Sequence, residues 1–155
     1  NDIDGLLVPD LPFEESGDLR LRCRAEDIPL ISLVAPTTSD DRLSRIACHA
    51  QGFLYCVSSL GVTGTRKGDF KPDVYEFLSR VKDRSPAPVA VGFGISSARQ
   101  VERLQAYCDG VIVGSAIVKE IEKHGDALLD PQNKQKALDR LREFLLSLFD
   151  RTSIT

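Results

Sequence analysis

Five short, almost continuously apolar runs recur along the chain, at residues 3–8, 29–34, 53–57, 89–93 and 110–113. Each is four to six residues long. Such runs, with little polar alternation, are what strands covered on both faces look like, and parallel sheets are their usual home. Between them apolar residues return every three or four positions, the spacing of a helix with one buried stripe. The pattern predicts helices over 14–25, 40–49, 72–83 and 97–107, and a fifth starting near Ser115. A terminal helix is predicted over 132–149, with Leu138, Leu141, Leu145 and Leu148 on one face. Boundary residues agree. Ser39 and Ser96 suit N-caps, Asp40 and Asp41 suit a first turn, and Pro72 suits the first helical position.

The order is strand then helix, five times, followed by one more helix. Strict alternation implies an α/β fold with a parallel sheet and right-handed crossovers. Two architectures meet that description. At 155 residues the chain is long enough for a five-stranded doubly wound sheet, whereas an eight-stranded barrel needs roughly 250. Length favours the first and the loops favour the second. No linker or low-complexity segment interrupts the order.

Composition narrows the function more than the fold. Apolar residues make up 42% and charged residues 28%, ordinary for a globular domain. A formal net charge of −3 gives no basic face for nucleic acid. No apolar run approaches the roughly 18 residues of a membrane span. The opening Asn1-Asp2-Ile3-Asp4 lacks the basic start of a secretory signal, so the expected location is the cytoplasm. The sequence contains no Met, and the chain is expected to begin inside a longer reading frame or to be processed. Cys23, Cys48, Cys56 and Cys108 form no C-x-x-C pair and are expected to be free, buried or half-buried thiols. With only His49 and His124 beside them, no metal site is expected. Both histidines fall at predicted helix ends, where a solvated position is expected.

In either α/β architecture chemistry gathers where strands end. The first run leads into Pro9-Asp10-Leu11-Pro12, where Asp10 is either an acid/base group or a turn carboxylate. The second leads into Ala35-Pro36-Thr37-Thr38-Ser39, a turn that needs no function. After the third comes the longest loop, 58–68, with Gly61, Gly64 and Gly68, several hydroxyls, Arg66 and Lys67. A loop of that length in a small domain is usually functional, often a lid. The fourth run ends in Gly92-Phe93-Gly94-Ile95-Ser96 and the fifth in Val113-Gly114-Ser115-Ala116. Two successive glycine turns opening onto helix starts make a cup for a phosphate. In barrels, that cup commonly lies after strands seven and eight.

These segments together resemble one family. Asp4-Gly5-Leu6-Leu7-Val8-Pro9-Asp10-Leu11-Pro12, Leu33-Val34-Ala35-Pro36-Thr37-Thr38 and Tyr55-Cys56-Val57-Ser58 stand in the order and spacing of the tryptophan synthase α subunit. So do Gly61-Val62-Thr63-Gly64, Val91-Gly92-Phe93-Gly94-Ile95-Ser96 and Val113-Gly114-Ser115-Ala116-Ile117-Val118. The resemblance covers essentially the whole chain and implies a partial (β/α)8 TIM barrel from strand four onward. That is five βα units plus a C-terminal helix, a single domain over 1–155 with the N-terminal three units absent.

The family cleaves indole-3-glycerol phosphate to indole and glyceraldehyde 3-phosphate by a retro-aldol reaction. Its partner in a heterotetramer is a β subunit, which holds pyridoxal phosphate; no cofactor is implied for this subunit. The resemblance places Gly64, Gly94, Gly114 and Ser115 at the phosphate, Phe93 near the substrate and Tyr55 beside the catalytic carboxylates. Leu7 and Ile112 line the indole pocket. Gly61, Val62, Thr63 and Gly64 belong to a mobile loop whose Thr63 reaches the catalytic aspartate on closure. The family's catalytic Glu and Asp come from strand two and its loop, so no catalytic residue is expected in this chain, and alone it is expected to be inactive. Asp10 matches a different family position. Five strands with two open edges lead to the further expectation of a marginal or self-associating chain. Rival expectations are a sugar-phosphate barrel isomerase, a non-catalytic phosphate-binding or β-subunit-binding remnant, and a receiver-type doubly wound module. The last needs a Lys where Gly114-Ser115 stands.

Overall fold

Successive strand residues point to opposite faces of a sheet, and here the two faces have different fates. On one, Val34, Leu54, Cys56, Val89 and Val91 are buried. On the other, Leu33, Tyr55, Val57, Ala90 and Ile112 are only half-buried. A computed structural model describes residues 3–57, 70–92 and 94–149. Within them the order is β1 (Leu6–Leu7), a 3-10 turn (Phe13–Glu15), α1 (Gly17–Ala25), β2 (Leu30–Val34), α2 (Asp40–Cys48) and β3 (Leu54–Val57). There follow α3 (Pro72–Arg84), β4 (Val89–Gly92), α4 (Ala98–Leu104), β5 (Gly110–Ile112), α5 (Ser115–Lys123), α6 (Gly125–Leu129) and α7 (Lys134–Ser147).

All strand pairs are parallel and the sheet runs β1-β2-β3-β4-β5, in sequence order. This decides between the two candidate architectures. A doubly wound sheet reverses its strand order at a switch point, and here the order never reverses. Right-handed crossovers between successive neighbours place every connecting helix on the same side. The result is an arc of a (β/α)8 barrel. The helix side holds the core: Leu43, Ile46 and Ala47 of α2, Val74, Phe77, Leu78 and Val81 of α3, and Val101 and Leu104 of α4 pack on the buried strand residues. The half-buried face is the one that would look into a barrel.

Several boundaries differ from the periodicity. Only Leu6 and Leu7 of the run 3–8 pair, with Leu30 and Ile31. The helix predicted over 14–25 is split at Ser16, whose hydroxyl donates to the Phe13 carbonyl at 2.7 Å and closes a 3-10 turn before α1. Ser39 occupies the N-cap of α2, but its side chain makes no capping bond. The fourth helix is capped by Ser97 rather than Ser96 and ends at Leu104. There the Leu104 carbonyl accepts from both the Tyr107 and Cys108 amides. A short α6 precedes the terminal helix, which starts at Lys134 because Asp130 accepts from the Gln132 amide and the Asn133 side chain, holding Pro131–Asn133 in a turn. Cys23, Cys56 and Cys108 are buried and Cys48 is exposed, all as free thiols. His49 is exposed at the end of α2, with Nδ1 at 2.8 Å from the Arg45 carbonyl. His124 is not solvated as expected: its side chain is 15% exposed and lies 3.3 Å from Glu120.

Candidate functional site

Strands β4 and β5 are neighbours, with Gly92 opposite Ile112, so the turns that follow them leave the sheet side by side. Past β4, Gly94 takes φ +79°, a left-handed conformation that glycine adopts without a Cβ penalty. Ile95, immediately after it, is buried in the core at 2% exposure. Past β5, Gly114 is the N-cap of α5 and Ser115 its first residue. No side chain caps this helix, and the Gly114 carbonyl accepts from the Ile117 and Val118 amides at 2.9 and 3.1 Å. The amides and positive end of the helix dipole at such a terminus favour an anion.

The neighbouring helix start is arranged differently. At α4 the Gln100 amide reaches the Ser97 hydroxyl, at 3.4 Å. The Gln100 Oε1 accepts from the Ser96 amide at 2.8 Å and lies 3.4 and 3.3 Å from the Ser96 and Ser97 hydroxyls. The Ser-x-x-Gln spacing of 97–100 is that of a capping box, reaching one residue further back than usual. Of two adjacent helix starts, one is capped by its own side chains and the other is not.

Leu7 and Ile112, expected at the indole pocket, and Tyr55, expected beside the catalytic carboxylates, all lie on the half-buried face. Leu7 pairs with Ile31 at one edge of the sheet, Tyr55 sits between Leu33 and Ala90, and Ile112 pairs with Gly92 at the far edge. Tyr55 lies across Gly92 so closely that a Cβ there would stand 2.1 Å from its hydroxyl. Burial pushes the Tyr55 phenol above its ordinary value, so it remains a neutral hydroxyl at neutral pH. Gly61, Val62, Thr63 and Gly64 of the loop, and Phe93, lie outside the described residues.

Asp10 is exposed in a turn closed by a 3.3 Å bond from the Leu11 amide to the Val8 carbonyl. It borders a cleft of about 350 Å³ at the ends of β1 and β2, which reaches the inner face at Leu33 and Val57. Arg20 enters the same cleft, its guanidinium 4.3 Å from the Phe13 ring centroid and 2.6 Å from the Ser16 hydroxyl. Burial lowers the Arg20 pKa from its ordinary value. Among the described residues no three His, Cys, Asp or Glu side chains gather as a metal site. Nor is any described helix long and apolar enough to cross a membrane.

A sequence model of the family described as tryptophan synthase alpha chain matches residues 1–150. The chain belongs to the tryptophan synthase α chain family. It is 56% identical over 144 residues to the tryptophan synthase alpha chain of Bacillus velezensis, covering 93% of this chain and 54% of that one. Against the Geobacillus stearothermophilus protein of the same name the identity is 53%, over 96% of this chain and 54% of the relative. Its backbone resembles a chain from the tryptophan synthase α2β2 complex of Pyrococcus furiosus, with a TM-score of 0.76 and 34% identity, over 94% of this chain and 54% of that one. The chain therefore spans about half the length of the curated relatives it matches.

Within this family frame, Gly92, Gln100 and Arg20 are the site-adjacent residues that the sequence alone did not single out. Gly92 reads in the sequence only as part of a turn; its contact with Tyr55 depends on strand register, which no single run shows. The Ser97-x-x-Gln100 spacing was readable as a capping signature but was masked by placing the N-cap at Ser96.

Proposed function

We propose that this chain serves tryptophan biosynthesis as the phosphate-binding and indole-facing part of an α-subunit lyase that cleaves indole-3-glycerol phosphate to indole and glyceraldehyde 3-phosphate. The observation that carries the proposal is the pairing of β4 with β5, which sets the Gly94 turn beside the uncapped start of α5. The phosphate of the substrate sits there, on backbone amides around Gly94, Gly114 and Ser115 and on the Ser115 hydroxyl. For Gly64, outside the described residues, a phosphate contact is proposed on the family resemblance alone. The indole ring lies on the apolar inner face between Leu7 and Ile112, with Phe93 near the substrate and Tyr55 beside the reacting centre. Thr63, outside the described residues, is assigned to the loop by the family resemblance alone.

Retro-aldol cleavage needs one proton delivered to the indole ring and another taken from the glycerol hydroxyl and ring nitrogen region. The glutamate and aspartate that the family uses have no counterpart assigned among these residues, so this chain contributes binding rather than proton transfer. General acid–base groups of that kind contribute roughly 10²–10⁴-fold in rate. A β subunit is the proposed protein partner and the holder of pyridoxal phosphate; the α-side chemistry uses no cofactor.

Two measurements test this. Calorimetric titration of the 155-residue chain with glycerol 3-phosphate should show saturable binding that Ser115→Ala weakens. Incubation with indole-3-glycerol phosphate should release no indole. Binding without turnover supports the proposal. Indole release by the chain alone would overturn the assignment of the chemistry elsewhere, and absence of binding would overturn the phosphate site.

A further inference from the structure

A buried amide side chain behind the Gly94 turn has no part in the site as described so far. Gln100 is 3% exposed, one of three buried polar residues among those described. Its Oε1 takes the Ser96 amide at 2.8 Å, with the Ser96 and Ser97 hydroxyls 3.4 and 3.3 Å from the same oxygen. A capping residue in its usual place would satisfy only the N-cap amide. This one reaches past the N-cap, onto the turn itself.

The consequence is geometric. Gly94 stands between two fixed points. On one side Gly92 is held in the sheet by Val57 and Ile112. On the other, Ile95 is buried in the core and the Ser96 amide is tied to Gln100. A glycine at φ +79° has no side chain to hold its own conformation, so its flanks must do so. There is also a chemical consequence. The Ser96 amide is spent on Gln100, so that amide does not compete with the uncapped α5 start for an anion.

We infer that Gln100 is a positioning residue for the phosphate: by holding the Ser96 amide it fixes the Gly94 turn and directs the anion to the Gly114–Ser115 side of the cup. This rests on the phosphate site proposed above. Loss of the Gln100 acceptor frees the turn, and the anion then has to order it on binding, which lowers affinity.

The test compares variants of the 155-residue chain by calorimetric titration with inorganic phosphate and with glycerol 3-phosphate, alongside thermal melts. Gln100→Ala should weaken both ligands by about tenfold, the cost of a lost hydrogen bond to an ordered anion-binding turn. Gln100→Asn keeps the amide but is one methylene too short to reach Ser96, and should behave like Gln100→Ala. Gln100→Glu keeps an acceptor at the right reach and should hold the turn, shown by slow exchange of the Ser96 amide. Ser97→Ala removes the N-cap hydroxyl but leaves the Gln100–Ser96 bond, so it should lower the melting temperature without changing phosphate affinity. Should Gln100→Ala or Gln100→Asn bind both ligands as the unaltered chain does, the inference is overturned. It is also overturned if Ser97→Ala weakens binding as much as they do, since the effect is then only loss of the helix start. If the unaltered chain binds neither ligand, the phosphate site itself fails, a result distinguishable because it needs no variant.

Discussion

The two faces of the sheet divide the labour of this chain. On the helix side, Leu54, Cys56 and Val91 are fully buried against α2, α3 and α4. On the other side, Tyr55, Val57 and Ala90, one residue away along the same strands, are half-buried, as is Ile112 of β5. Adjacent residues of one strand thus meet different surroundings: close packing on one face and, in the function proposed above, access for a ligand on the other. Among the described residues, the main buried cluster lies on the face opposite the one that the proposed substrate would use. Changes on the two faces should therefore separate into losses of stability and losses of binding.

The largest expected effect is on the helix side. Phe77→Ala, at 1% exposure in the middle of the core, should cost about 3–5 kcal/mol of folding stability, measured by chemical denaturation. Ile112→Ala on the open face should cost clearly less; equal losses would break the comparison.

Next comes a place where the open face is tightly packed. In Gly92→Ala the new methyl would meet the Tyr55 hydroxyl at 2.1 Å, and overpacking of this kind costs about 1–3 kcal/mol. Adding Tyr55→Ala should return much of that loss, and a double variant no more stable than Gly92→Ala would show that the clash is not the cause. A smaller effect is expected at the turn. Gly94→Ala places a Cβ at φ +79°, worth about 1–2 kcal/mol of backbone strain, with a larger relative loss in phosphate affinity than in stability.

The smallest effect is a pH dependence on the helix side. Asp109 accepts from the Val89 amide at 2.8 Å and lies 3.3 Å from Lys82. The Val89 amide first, then Lys82, holds its carboxyl below the ordinary aspartate value of 3.8. A carboxyl with a depressed folded pKa stabilises the fold fully above its ordinary value, and that contribution fades as pH falls through the lower folded value. Melts between pH 6 and the acid limit, roughly pH 2, should therefore show a decline that Asp109→Asn flattens. An unchanged slope would remove Asp109 from the account.

Much of the architecture was legible in the sequence because continuous apolar runs have few other homes than a two-sided parallel sheet. Strand order was not legible from the pattern, since a doubly wound sheet and a barrel arc share it; the pairing of β1 through β5 in sequence order decides between them. At the site, Gly94, Gly114 and Ser115 were readable as turn and helix-start residues, and the structure places them on neighbouring strand ends. The Tyr55–Gly92 contact and the reach of Gln100 to Ser96 are tertiary facts, set by strand register and by a shift of one residue in the N-cap. Helix ends were misplaced where Ser16, Leu104 and Asp130 spend hydrogen bonds on turns, a competition that apolar spacing does not register.

The central claim is that an anion binds at the ends of β4 and β5. The most direct measurement is a titration of the isotopically labelled chain with inorganic phosphate, followed amide by amide in nuclear magnetic resonance spectra. The account predicts saturable shifts concentrated at Gly94, Gly114, Ser115 and Ala116, with Ser96 little changed. Shifts centred instead on the Arg20 cleft at the ends of β1 and β2, or no saturable shifts at all, would contradict it.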